Sequence, residues 1–166
     1  LSFNQHGEWA AKSLFTFRQL CFCPLPRITI MSDNLSYTLS QHPTGAQICT
    51  FANGLTVILL EDHSAPVVSA QAWCQAGSIH EGDWMGAGLS HVLEHMLFKG
   101  THKRGKGKID QEVQEAGGYM NAYTSFDRTV YYINTPSSGT EVAVDILCDI
   151  MQNASLPEEE LTSELD

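Results

Sequence analysis

The chain has 166 residues, enough for one domain with a proper core, and 43% hydrophobic with 17% charged content suits a soluble globular protein. A net charge of -10 argues against a binder of nucleic acid or anionic membrane, and no apolar run approaches the roughly 20 residues that span a bilayer. Five cysteines, an odd number with no C-x-x-C pair, argue against a disulfide scaffold and for a reduced compartment, cytoplasmic by default.

Residues 1–30 show no clear period and do not begin with Met. They read as an extension of doubtful origin ahead of Met31, expected to make few contacts with the domain. The competing reading is a targeting segment, which would place the protein in an organelle or export it. Residues 31–46 read as a polar lead-in, and the domain proper as 47–166.

From Gln47 the elements become legible. Gln47 to Phe51 and Leu55 to Glu61 are β-rich runs flanking Ala52-Asn53-Gly54, a hairpin signal. Val67 to Gln75 alternates as a third strand whose small residues predict close packing against a helix. The loop Gly77 to Gly88 follows, with His80 and Glu81 expected as solvated residues. Gly88 to Thr101 predicts a largely buried helix with a stop at Lys99-Gly100. Thr101 to Lys108 is basic and glycine-bearing and predicts a solvated loop. Ile109 to Ala116 has helical spacing. Tyr119 to Phe126 and Thr129 to Asn134 predict two strands around Asp127-Arg128. Gly139 to Gln152 predicts a helix, and a last acidic helix begins after Leu156-Pro157. Strand pairs joined by tight turns, with helices in blocks, predict an α+β fold: a mainly antiparallel sheet with helices packed on it.

The chemistry centres on His91-Val92-Leu93-Glu94-His95, an H-x-x-E-H run inside the predicted helix. Residues four apart share a helix face, so His91 and His95 can reach one metal ion, and Glu94 projects from the same side. Two His with a carboxylate and an open water position suit catalytic zinc, and a carboxylate beside metal-activated water can act as its general base. The alternative is a helix carrying two solvated histidines. The flanking Val92, Leu93, Met96, Leu97 and Phe98 disfavour it, because polar groups facing a core need partners.

Four blocks resemble the N-terminal domain of the pitrilysin/insulinase family of zinc peptidases, the inverzincins, which includes the mitochondrial processing peptidases and their bacterial relatives. They are NGLTVILLEDHSAPVVSAQAWCQAGS, GLSHVLEHMLFKGT, EAGGYMNAYTSFDRTVYY and LPEEELTSELD. The resemblance implies Zn2+ as cofactor, His91 and His95 as ligands and Glu94 as general base. It implies a further glutamate ligand about 75 residues beyond His95, past Asp166. Glu164 resembles an acidic residue that orients a ligating histidine; its alternative is an exposed helix charge. Asn121 and Ala122 match positions on a sheet edge to which an extended substrate adds as a strand. The implied activity is a metalloendopeptidase cutting extended peptides or unfolded proteins, completed by a second homologous domain or partner subunit. The chain by itself is then expected to be incomplete and inactive. The alternative function is a non-catalytic core or scaffold subunit of a processing-peptidase-like complex.

Overall fold

A computed structural model of the chain describes residues 13–20 and 36–165, with the backbone alone described for 13–20 and for Leu165. Seven strands form one sheet. They are β1 (Ser13–Leu20), β2 (Tyr37–Gln41), β3 (Gln47–Phe51), β4 (Thr56–Asp62), β5 (Val67–Cys74), β6 (Tyr119–Thr124) and β7 (Thr129–Pro136). The helices are α1 (Leu89–Leu97), α2 (Lys108–Glu115), α3 (Thr140–Asn153) and α4 (Glu158–Leu165). The sheet order is β2-β3-β4-β1-β5-β7-β6. Every pairing is antiparallel except β1 with β4. The α+β expectation holds.

The core sits between β5, β7 and the helices α2 and α3. Val68, Ala70 and Ala72 alternate along β5 and are all buried, as the period of two in a strand requires. They meet Ala143, Ile146, Leu147 and Ile150 of α3, spaced at i, i+3, i+4 and i+7. Ala70 and Ala72 leave the gap that the larger α3 side chains fill. Truncating any of Ile146, Leu147 or Ile150 to Ala would cost about 2–5 kcal/mol through lost transfer energy and an uncollapsed cavity. Ile109 and Val113 of α2 and Tyr131 and Ile133 of β7 complete the cluster.

Two expectations are corrected and a third is refined. The segment Ser13–Leu20 lies inside the sheet, parallel to β4 from Leu14↔Thr56 to Leu20↔Asp62 and antiparallel to β5. The expectation that residues 1–30 make few contacts is therefore wrong for this stretch. The rest of that segment, and the burial of Phe15, Phe17 and Leu20, lie outside the described residues. The polar lead-in contains a strand: β2 pairs with β3, and all five of its residues are exposed, so no hydrophobic alternation announced it. The basic loop after α1 is exposed along most of its length, as expected, but it is pinned at two points. Arg104 and Thr101 are buried, and Arg104 bonds Glu112, Asp145 and Asp149 at 2.7, 2.5 and 2.7 Å.

Candidate active site

The approach to α1 is built from backbone contacts. Gly77 ends the β5 segment in extended conformation, and a Cβ there would stand 2.3 Å from the Ser125 carbonyl oxygen. With no side chain in the way, the chain closes onto the turn between β6 and β7: the Ser78 and Ile79 N–H groups donate to the Ser125 and Phe126 carbonyls at 3.3 and 3.0 Å. Two short 3-10 turns follow, at Ser78–His80 and Gly82–Trp84. Glu81 sits between them, and the expectation that it is solvated is corrected. Its Oε1 accepts from the Ser90 N–H at 2.9 Å and its Oε2 from the Gly86 N–H at 3.2 Å. The Ser90 N–H belongs to the first turn of α1, which has no intrahelical partner, so a residue nine positions upstream supplies the cap that Gly88 lacks. The Ser90 N–H in turn holds the Glu81 carboxyl below its usual range. His80 is exposed, and its Nδ1 accepts from the Gly77 N–H.

Along α1 the polar triplet divides. Glu94 is buried at 7% exposure, whereas His91 and His95 are exposed. The expectation of a largely buried helix is corrected, since Leu89 and Leu93 are exposed too. The two imidazole Nε2 atoms lie 3.1 Å apart, with the rings in an edge arrangement. Two nitrogens each about 2.0–2.1 Å from one tetrahedral ion stand about 3.3 Å apart, so the pair fits a shared cation. On its far side, His95 Nδ1 lies 2.6 Å from Glu164 Oε2. A carboxylate there calls for a proton on Nδ1 and leaves Nε2 with its lone pair, the state a metal ligand needs. Glu164 is half-buried and also pairs with Lys99. Lys99 first, then His95, hold its carboxyl below the usual range. Lys99 and Lys106 both reach Glu160, so α4 is tied by charge to the stretch that follows α1 as well as to α1 itself through His95. Among the described residues no third His, Cys, Asp or Glu joins the histidine pair.

The helix faces the edge of the sheet. Among the described residues β6 has one strand neighbour, β7, and its other side is open. Along β6, Met120, Ala122 and Thr124 are half-buried, while Tyr119, Asn121 and Tyr123 are exposed. Asn121 shares an open cleft with Glu94, His95, Phe98, Lys99 and Glu164. The Asn121 Oδ1 accepts from the Ala122 N–H at 2.8 Å, covering a main-chain donor next to the cleft. Thr124 lies beneath α1, where its hydroxyl donates to Glu94 Oε2 at 2.5 Å. The sequence placed Glu81 as a solvated loop residue and did not single out Thr124. The signal for Thr124 was its place two residues after Ala122, hence on the same face of the strand; nothing local marked Glu81.

A family model described as Insulinase (Peptidase family M16) matches residues 56–166. The probable mitochondrial-processing peptidase subunit beta of Arabidopsis thaliana is 38% identical over 120 residues, covering 72% of this chain and 22% of that protein. The mitochondrial-processing peptidase subunit beta of Lentinula edodes is 42% identical over 120 residues, covering 72% of this chain and 26% of that protein. The crystal structure of a protease from Helicobacter pylori superposes with a TM-score of 0.58 at 27% identity, over 79% of this chain and 29% of that one. The chain thus spans about a quarter of the length of the curated relatives it matches. With two thirds of its residues under the family model, and the H-x-x-E-H helix within that match, the chain belongs to the insulinase family, peptidase family M16.

Proposed function

We propose that this chain carries the metal-binding domain of a zinc metalloendopeptidase that cuts extended peptides or unfolded proteins. The observation that supports this most is the convergence of His91 Nε2 and His95 Nε2 at 3.1 Å while Glu164 occupies the other nitrogen of His95. His91 and His95 would hold the zinc. When bound, the ion supplies a Lewis acid that makes a neighbouring water acidic near neutral pH. Glu94, which lines the cleft together with His95, would take that water's proton on a carboxylate oxygen and pass it to the departing amine nitrogen. Glu164 orients the His95 ring. The open edge of β6 receives the substrate main chain as an added strand, the Asn121 side chain swinging aside so that its amide and the Ala122 N–H it now covers become the polar contacts.

A second homologous domain or a partner subunit completes the enzyme in this reading, supported by relatives that are named as a beta subunit. Mitochondrial relatives support an organellar location over the cytoplasmic expectation. The intact histidine-glutamate triplet favours the peptidase over a non-catalytic scaffold subunit.

Substitutions in the full-length protein separate the roles. Glu94→Gln keeps the shape and a hydrogen-bonding end but cannot accept a proton. It should retain stoichiometric zinc and lose peptide hydrolysis by on the order of 10²- to 10⁴-fold. His91→Ala and His95→Ala should instead lose the metal. Zinc analysis beside a peptide-cleavage assay decides it: a fully active Glu94→Gln protein, or a His91→Ala protein with zinc still at this site, overturns the assignment.

A further inference from the structure

The proposed general base has a partner that neither composition nor motif announces. Thr124 ends β6, and its cross-strand neighbour in β7 is Thr129. Thr129 is buried and its hydroxyl donates to the Ala76 carbonyl at 2.9 Å, which fixes it against the end of β5. The Thr124 hydroxyl has three acceptors in reach: Glu94 Oε2 at 2.5 Å, Thr129 Oγ1 at 3.4 Å and the Ser90 carbonyl at 3.5 Å. A hydroxyl has one proton to give. The short contact takes it, since O–H donation to a carboxylate is both the strongest and the shortest of the three. Oε2 of Glu94 is therefore engaged. Among the described residues no hydrogen bond reaches Oε1, and the residue lines the open cleft.

We propose that Thr124 is a positioning residue for the reaction: its hydroxyl clamps Glu94 Oε2 and thereby presents Oε1 to the reacting water. The clamp crosses from sheet to helix, so it sets the carboxylate against the β6 edge on which the substrate would lie. A glutamate side chain rotates about three bonds, and a proton acceptor acts only within hydrogen-bond reach of its proton. The proposal rests on the reading of Glu94 as proton acceptor.

The test uses the full-length protein. Thr124→Val keeps the shape and removes the donor; Thr124→Ala serves as a second variant should the valine protein not fold. Either should bind stoichiometric zinc, keep KM within about twofold and lower kcat by about tenfold or more, because misplacing a reacting group by an ångström can cost on the order of 100-fold. Thr124→Ser restores the hydroxyl and should return kcat to within about threefold of the wild type. A readout without activity uses the zinc-free protein. The fall in Tm caused by Thr124→Val should largely vanish in a Glu94→Ala background, since groups in direct contact are not additive. Unchanged kcat in both Thr124→Val and Thr124→Ala, no rescue by serine, loss of zinc, or additive Tm shifts would each overturn the proposal. Glu94→Gln separates this failure from failure of the general-base reading. If that protein is inactive while the Thr124 variants are fully active, only the clamp is wrong; if it is active, the proton acceptor is misassigned.

Discussion

Arg104 shows how much one side chain can do for the site without touching it. Its guanidinium links Glu112 of α2 with Asp145 and Asp149 of α3, and Thr101 adds a hydrogen bond to Asp149 at 2.7 Å. This ties the loop after α1 to the core helices. The Asp149 side chain is fully shielded from solvent, so removing its cation strands a buried charge. Arg104→Ala should therefore cost about 3–5 kcal/mol of unfolding free energy, measurable by urea denaturation. The same group sets an acid limit. Burial pushes the Asp149 carboxyl up, but bonds from Thr101, Asn153 and Arg104 outweigh it and hold the carboxyl below its ordinary value. A depressed folded-state pKa means that the unfolded chain binds more protons, so this contribution is complete above about pH 4 and is lost as pH falls through the depressed value. Unfolding free energy measured from pH 6 downward should fall less steeply in Asp149→Asn than in the wild type. An equal slope would show that Asp149 does not carry the acid sensitivity.

Among the elements, β6 and α1 work as a pair in the proposed reading, the helix held by elements outside it and the strand by its own hairpin neighbour. The helix is capped by Glu81 and braced by α4; among the described residues the strand is held by β7 on one side and has no strand neighbour on the other. The open side gives a prediction for substrate capture. Proline lacks an N–H and is tolerated in a sheet where that N–H faces outward from an edge. Ala122→Pro should fold with nearly unchanged Tm, yet raise KM for an extended peptide in the full-length enzyme by about fivefold or more, the worth of about one main-chain hydrogen bond. A variant that folds and binds substrate normally would rule out strand addition through this N–H. A collapsed Tm would show that the N–H is needed inside the sheet.

For the molecule as a whole, the sheet depends on a strand from its N-terminal stretch. β4 and β5 are joined by a short link, yet β1 lies between them and pairs with both. Without it, two strands would present unpaired main-chain edges, which invite association. Deleting residues 13–20 should lower the Tm and raise the sedimenting mass of this chain. A deletion protein with the sedimentation behaviour and Tm of the undeleted chain would show that β1 contributes nothing to the sheet.

Most of the local plan was legible in the residues themselves. The Asn53-Gly54 hairpin, the alternation along β5, the i, i+3, i+4 spacing of α3 and the H-x-x-E-H run each place a periodic pattern on an element of the same period. Local stereochemistry decides such features, so a sequence carries them without its fold. The corrections share the opposite origin. β2 has no buried face to pattern it, β1 gains its place only from two strands far along the chain, and Arg104 is buried because acids about 40 residues later come to meet it. Glu81 caps α1 from a loop, and Thr124 meets Glu94 across 30 positions. Periodicity reports which face of an element is buried, whereas the partner of a polar group depends on which elements the fold brings within about 3 Å, a matter settled only when the chain packs.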